Sequence, residues 1–160
     1  MSFLNEDLQP LLNKAFFYLK FRPRTKKETE NYLLKKVKAT HWSTDDVKKI
    51  IQHLEELDFI NDKKFIALFV ENRNILKPKG QRVLVQELIR LGVDKEIIDD
   101  YFSNNLLNEE ELAFKTLKPR WNRYKNLDKR KRFEKAMGLL LRRGFSCETA
   151  KQTIIKTEEV

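Results

Sequence analysis

The chain contains one cysteine, four glycines and four prolines in 160 residues. Because Cys147 has no partner for an internal disulfide, the sequence predicts a protein of a reducing cytoplasm. Scarce glycine and proline leave room for long helices, since these two residues interrupt helices most strongly. No stretch reaches the roughly 18 apolar residues of a membrane span, and the N-terminus lacks the pattern of a secretory signal. We therefore expect a soluble cytoplasmic protein that has no membrane partner.

The sequence also lacks the patterns that usually carry catalysis. It has no glycine-rich phosphate loop and no Gly-x-Ser-x-Gly motif. His41 and His53 lie in different predicted elements, so no set of metal ligands has sensible spacing. Adjacent acids such as Asp99 and Asp100 diverge around a helix instead of facing each other. We expect a protein that is not an enzyme and that needs no cofactor or metal.

Apolar residues recur at helical spacing along almost the whole chain. Val47, Ile50, Ile51 and Leu54 follow an i, i+3, i+4, i+7 pattern, and no window alternates like a strand. Short polar residues that precede such stretches predict helix N-caps, at Thr25, Ser43, Asp62, Asp94, Asn108, Asp128 and Ser146. Together these signals predict an all-α fold whose helices cover residues 8–21, 26–38, 44–57, 63–76, 81–91, 95–104, 109–124, 129–143 and 147–157.

The chain carries an internal repeat of 51 to 52 residues. Trp42-Ser43, Val93-Asp94 and Phe145-Ser146 each place an apolar residue directly before a predicted cap. Gly92 and Gly144 occupy equivalent positions, where a left-handed residue commonly ends a helix. Repeats of this size indicate stacked modules. We expect an elongated, curved array of three tandem three-helix modules, at residues 8–60, 61–107 and 108–157.

Positive charge is concentrated in one part of the chain. The formal net charge is +9, and the window from Lys115 to Lys135 contains ten lysines and arginines against Asp128 and Glu134. So unbalanced a block repels itself and favours a polyanionic partner, although a solvated helix face is the alternative. Trp121 and Tyr124 lie on the apolar stripe of their helix, which favours core packing over base stacking. The candidate binding residues here are Arg120, Arg123, Lys125, Lys129, Arg130, Lys131, Arg132, Arg142 and Arg143.

Two further basic clusters lie at predicted helix junctions. Arg22 and Arg24 flank Pro23, and an arginine fork suits carboxylate or phosphate equally well. These arginines either contact a partner or hold the ends of their own helices. A similar cluster recurs in the middle module, which favours a shared binding face. The candidates at the two junctions are Arg22, Arg24, Lys26, Lys27, Arg73, Lys77, Lys79 and Arg82.

Four motifs, in order, resemble the RecX family of recombinase regulators over about residues 10 to 157. They are Arg22-Pro23-Arg24-Thr25, Leu57-Asp58-Phe59-Ile60, Leu91-Gly92-Val93 and Arg142-Arg143-Gly144-Phe145. The chain departs from the family pattern at Lys36-Val37, where Lys-Gly is usual and an insert of four residues follows. It also has Ile66 where the family often has alanine.

The resemblance implies three three-helix modules that bind the RecA recombinase and its filament on DNA. It further implies modulation, most often inhibition, of ATP hydrolysis, strand exchange and coprotease activity, by a monomer that contacts single- or double-stranded DNA weakly. The alternative is a helical protein that acts on DNA directly, without contacting the recombinase. Lys95, Glu96, Asp99 and Asp100 speak against it, because an acidic third helix does not suit a DNA groove.

Overall fold

The structure is a computed structural model that describes residues 4–160. Within these residues it contains nine α-helices, a 3-10 turn at Glu6–Leu8 and no strand, which confirms the predicted all-α fold. The helix ends agree with the predicted ends to within one residue. The helices are α1 Gln9–Lys20, α2 Lys26–Val37, α3 Thr44–Glu56, α4 Asp62–Leu76, α5 Gln81–Arg90, α6 Lys95–Asn104, α7 Glu109–Tyr124, α8 Lys129–Arg142 and α9 Cys147–Glu158.

Across residues 4–160, no helix combines the length and the apolar character that crossing a bilayer requires. The predicted absence of a secretory signal concerns the N-terminal stretch, of which residues 1–3 lie outside the described part of the chain.

Short polar side chains start most of these helices as predicted. The backbone amide three residues further on donates to the side chain of each N-cap at Thr25, Ser43, Asn108, Asp128 and Ser146. In α2 and α3 the contact is reciprocal, because Glu28 and Asp46 accept from the amide of their own cap. Each such cap is worth about 1 kcal/mol to its helix. The helix starts are therefore set locally.

The predicted cap at Asp62 is wrong by one residue. The amide of Lys64 donates to Asn61 Oδ1 at 3.1 Å, and α4 already begins at Asp62. The Asp62 carboxylate instead accepts from the amide of Lys26, at 2.9 Å, in the first turn of α2. Burial raises the pKa of Asp62, against this hydrogen bond, and the nearby charge of Asp94 raises it further. Asp62 thus stabilises a helix that lies 36 residues earlier in the chain.

The described chain packs as two compact units. One comprises the residues up to Ile66 together with Leu88–Ile98, and the other comprises Ala67–Glu87 together with Asp99–Val160. The segment predicted as the middle module, residues 61–107, is therefore shared between the units. The core of the first unit includes the fully buried Leu11, Ala15, Leu33, Val47, Ile50 and Leu54. The core of the second unit includes Ala113, Leu117, Ala136, Leu140, Phe145 and Ile154.

A close approach of helices in the first unit explains the glycine at position 92. Gly92 has a φ of 82°, and a Cβ there would lie 2.4 Å from the Cβ of Lys27. The Thr25 hydroxyl donates to the carbonyl of Leu91 at 2.6 Å across the same contact. The end of α5 is thereby fixed against the start of α2.

The second unit repeats this arrangement between the start of α5 and the end of α8. Gly144 has a φ of 90°, and the amide of Gly80 donates to the carbonyl of Arg143 at 2.8 Å. A Cβ on Gly80 would lie 2.3 Å from the carbonyl oxygen of Gly144. The motifs Leu91-Gly92-Val93 and Arg142-Arg143-Gly144-Phe145 are therefore parts of helix-to-helix joints.

Candidate functional site

The first basic cluster is held together by one carboxylate. Arg22 and Arg24 follow α1, and both pair with Glu28, at 2.5 Å and 3.7 Å. The guanidinium of Arg24 also lies over the ring of Tyr18, 4.2 Å from its centroid. Because Glu28 closes the capping box of α2, these arginines brace the junction between α1 and α2. Much of the positive charge of Arg22 and Arg24 is therefore compensated by Glu28.

Lys26 and Lys27 lie in the first turn of α2. Lys26 pairs with Glu55 at 3.0 Å, and Lys27 pairs with Glu30 at 2.8 Å. Both lysine side chains are about half exposed. Exposed pairs of this kind are weak, at about 0 to 1 kcal/mol each, so a polyanion could still compete for either lysine.

The middle cluster divides into paired and unpaired cations. Arg73 and Lys79 both pair with Glu87, and the Lys79 side chain is only 13 % exposed. Arg82 donates to the carbonyl of Leu141 at 3.4 Å. Lys77 has no ion pair within residues 4–160. The structure thus brings Arg73 and Lys79 together on a shared carboxylate and leaves Lys77 exposed.

Three of the nine candidates in the third cluster are paired with nearby acids. Arg130 pairs with Glu134 at 3.0 Å, and Lys131 pairs with Asp128 at 3.7 Å. These are the two acids of the basic window, and each has a cation beside it. Arg132 pairs with Glu158 of α9 at 3.2 Å, and its side chain is only 22 % exposed. Arg132 therefore belongs to the packing between α8 and α9.

The remaining cations of α7 and α8 have no carboxylate partner within the described chain. We call this set the unpaired α7–α8 cations. Its members are Lys118, Arg120, Arg123, Lys125, Lys129, Lys135, Arg142 and Arg143. They lie on, or directly after, two consecutive helices of one compact unit. Uncompensated charge at this density attracts polyanions.

Arg143 shows how poorly this charge is compensated. Its Nη1 is buried and has no hydrogen-bond partner in residues 4–160. Burial lowers the pKa of Arg143, and the charge of Arg120 lowers it further. Two like charges are therefore held close together, and one has a donor without an acceptor. An unsatisfied buried donor is unfavourable, so an anion at this place would relieve it.

The aromatic residues of the basic window behave as predicted. Trp121 is 6 % exposed and belongs to the core of the second unit, so it cannot offer a stacking face to a base. Tyr124 is half-buried and packs against the same core, although part of it borders the surface beside the unpaired cations. Core packing is confirmed for Trp121, and Tyr124 combines core packing with partial exposure.

No group of three or more histidine, cysteine, aspartate or glutamate side chains is placed to hold a metal ion in the described residues. The sequence-based candidates missed Lys135 and Gly138, which lie beside Arg142 at the surface. The available signal was a glycine inside a helical pattern, four residues before an arginine. Such a glycine usually has a packing or functional reason.

Comparison with known proteins gives the family. A profile described as the second three-helix domain of RecX matches residues 61–101, and one described as the third three-helix domain matches residues 108–154. The regulatory protein RecX of Listeria innocua is 31 % identical over 150 residues, which cover 91 % of this chain and 53 % of that protein. The RecX of Bacillus cytotoxicus is 28 % identical over 146 residues, which cover 89 % of this chain and 52 % of that protein. The chain spans about half the length of these relatives.

The fold agrees with a solved structure as well. The crystal structure of RecX from Lactobacillus salivarius superposes with a TM-score of 0.82, at 28 % sequence identity, over 98 % of this chain and 100 % of that one. Two successive domain matches, named relatives along most of the sequence and a shared fold all agree. The chain belongs to the RecX family of regulatory proteins.

Proposed function

We propose that this protein binds the RecA recombinase filament on DNA and inhibits its ATP hydrolysis, strand exchange and coprotease activity, without catalysing a reaction itself. The observation that carries the proposal is the set of unpaired α7–α8 cations, in a chain whose relatives are named regulatory proteins. A nucleoprotein filament is an extended polyanion. Cations without internal partners bind it more readily than cations that must first break an ion pair.

The paired clusters contribute less in this proposal. Arg22 and Arg24 are committed to Glu28, so we assign them to bracing the helix junction. Lys26, Lys27 and Lys77 are exposed enough to join the filament contact. Arg73, Lys79 and Arg82 are assigned to the packing around α5.

Affinity can be built from several weak contacts. We propose that the segments 8–60, 61–107 and 108–157 are three modules, each of which touches the filament separately. Linking weak contacts in one chain raises the effective concentration of each after the first has formed. A single copy of the chain would then suffice, and we propose a cytoplasmic monomer that touches DNA weakly.

The decisive experiment measures RecA activity at low amounts of this protein. DNA-dependent ATP hydrolysis and strand exchange are followed while the chain is added well below the amount that covers the DNA. Inhibition in that range supports direct contact with the filament. Inhibition that begins only when the DNA is saturated would overturn the proposal in favour of a protein that acts on DNA alone.

A charge-reversal variant tests where the contact lies. Its changes are Arg120→Glu, Arg123→Glu, Lys125→Glu and Lys129→Glu, four exposed members of the unpaired α7–α8 cations. Arg132 is left in place because it pairs with Glu158 and lies 5.6 Å from the ring of Trp121. We expect the variant to keep its helicity and to lose inhibition. If it inhibits like the unaltered chain, α7 and α8 are not the contact.

The matched control reverses four exposed lysines of the first unit that have no ion pair in residues 4–160. These are Lys14, Lys20, Lys35 and Lys38. Its net charge equals that of the first variant. We expect it to retain most of the inhibition, and an equal loss in both variants would mean that only net charge matters.

A further inference from the structure

Gly138 is an unusual residue for the interior of a helix. It lies in the middle of α8, where glycine is less favourable than alanine. Its φ is not among the positive values of the chain, so its backbone does not require glycine. Among residues 4–160, a Cβ there would meet one side chain only, that of Arg142, at 3.1 Å from Nη1 and 4.0 Å from Cζ. The missing side chain leaves room for the guanidinium of Arg142 to fold back along the helix.

The folded-back guanidinium borders a cleft. Gly138 and Arg142 line it together with Tyr124, Glu134 and Lys135, and its volume is about 440 Å³. Glu134 is the one carboxylate of this lining and is already paired with Arg130. The net charge facing the cleft is therefore positive.

A second cleft shares two of these residues. Tyr124 and Lys135 also line it, with Arg120, Arg123 and Leu127, and its volume is about 220 Å³. The shared residues make the two clefts neighbours on α7 and α8. Four cations thus line these two neighbouring clefts. The fifth, Arg143, lies close enough to Arg120 to be affected by its charge.

We propose that these two neighbouring clefts form one binding site for a phosphate group, with Arg120, Lys135 and Arg142 as its main donors. Guanidinium forks bind phosphate oxygens through two parallel hydrogen bonds, and lysine adds a point charge. Arg123 borders the site, and Tyr124 offers the exposed part of its ring to the group attached to the phosphate. Gly138 is a positioning residue that acts through Arg142.

The source of the phosphate is the nucleic-acid backbone. This assignment rests on the proposed function, because it takes the polyanion to be the DNA of the filament. The other source of the same chemistry is a free nucleotide. The cleft itself requires neither assignment, since it follows from side chains within one compact unit.

The experiment uses the full chain without RecA. Binding of a fluorescently labelled oligodeoxythymidylate is measured by anisotropy at fixed low salt. Arg142→Ala and Lys135→Ala should each weaken binding about tenfold, which is typical of one lost charge-assisted contact. Lys151→Ala is the matched control, because Lys151 is exposed on α9, lines neither cleft and has no ion pair within residues 4–160. It should change the affinity less than about twofold.

Substitutions at Gly138 separate positioning from folding. Gly138→Ala crowds Nη1 of Arg142 and should weaken binding about two- to threefold, whereas Gly138→Leu fills the cleft and should weaken it about as much as Arg142→Ala. Both replacements favour helix, so thermal unfolding should not move to lower temperature. Binding unchanged in Gly138→Leu and Arg142→Ala, or a loss in Lys151→Ala equal to that in Arg142→Ala, would overturn the site.

Competition identifies the source. Inorganic phosphate and ATP are added to the labelled oligonucleotide complex of the unaltered chain. If ATP binds more tightly than the oligonucleotide, and Arg142→Ala abolishes this ATP binding, the assignment of the phosphate to the nucleic-acid backbone is overturned. If the oligonucleotide binds in a way that depends on Arg142 but the chain does not inhibit RecA, the proposed function is wrong and the phosphate site is still supported.

Discussion

Replacing Gly80 by alanine tests the joint between α5 and α8. Gly80 is buried, and a Cβ at this position would lie 2.3 Å from the Gly144 carbonyl oxygen and 2.8 Å from the amide nitrogen of Phe145. Ordinary van der Waals contact begins at 3.4 Å, so the backbones must separate by about 1 Å. Both obstacles are backbone atoms, which cannot turn away as a flexible side chain can.

The magnitude follows from what the separation breaks. Overpacking of a close contact costs about 1 to 3 kcal/mol. The hydrogen bond from the amide of Gly80 to the carbonyl of Arg143, 2.8 Å long, contributes about 1 kcal/mol more when both groups stay buried. We therefore expect Gly80→Ala to lower the free energy of unfolding by about 2 to 4 kcal/mol. For a chain of this size that corresponds to roughly 5 to 15 °C in melting temperature.

The assay is thermal unfolding followed by circular dichroism, with Gly138→Ala as the control. Both variants exchange glycine for alanine in the same compact unit. The control meets only the flexible end of Arg142 and should be as stable as the unaltered chain or more stable, by up to about 1 kcal/mol. If Gly80→Ala melts together with Gly138→Ala, the close approach of α5 and α8 is not as the structure has it.

Three further predictions concern pH, capping and salt. Burial raises the pKa of Asp62 above its ordinary 3.8, so the free energy of unfolding falls as pH rises from about 4 through the raised pKa. Asp62→Asn, whose side-chain oxygen can still accept from the amide of Lys26, should therefore gain stability relative to the unaltered chain over this pH range in urea titrations. A difference that stays constant with pH would contradict this. Thr25→Ala removes the cap of α2 and the hydrogen bond to the Leu91 carbonyl, and should lower the free energy of unfolding by about 2 to 3 kcal/mol. Ser43→Ala removes only an exposed cap and should lower it by about 1 kcal/mol. Equal losses in the two variants would contradict this. If the eight unpaired α7–α8 cations make all the phosphate contacts, the slope of log affinity against log salt on single-stranded DNA should be no steeper than about −6.

The helices were predictable from the sequence because their signals are local. The cap at Ser43 and its partner Asp46 are three residues apart, and the apolar spacing from Val47 to Leu54 fixes which face of α3 is buried. Neither signal depends on a distant part of the chain. Gly92 and Gly144 were predictable for the same reason, since a left-handed residue at the end of a helix is a local requirement.

Contacts between distant residues could not be predicted. Asp62 was assigned to the helix that follows it, but its carboxylate caps α2 through Lys26. The Asn61-Asp62 pair offers two capping side chains in succession, and local pattern alone cannot choose between them. The choice is made by the packing of α2 against this turn, which brings a second free amide within reach.

At the candidate site, too, local features could be predicted from the sequence and contacts between distant residues could not. The sequence located the block of positive charge, but charge spacing does not tell which cations are free. Arg132 lies beside Lys131 in sequence, yet it is withdrawn by Glu158, and Arg130 is neutralised by Glu134 one turn away. What distinguishes the free cations is that, within residues 4–160, no carboxylate lies near enough to pair with them.

The role of Gly138 can be inferred only from the sequence and the structure together. In the sequence it is only an unfavourable residue within a helical pattern. In the structure its missing Cβ is the space beside the Arg142 guanidinium. A helix that only had to cover the core of the second unit would be better served by alanine, which would still fit its backbone. Retaining glycine costs helix stability and gains a particular placement of one positive charge. This exchange is the one expected if the placement of Arg142, and not merely its charge, serves the proposed phosphate site.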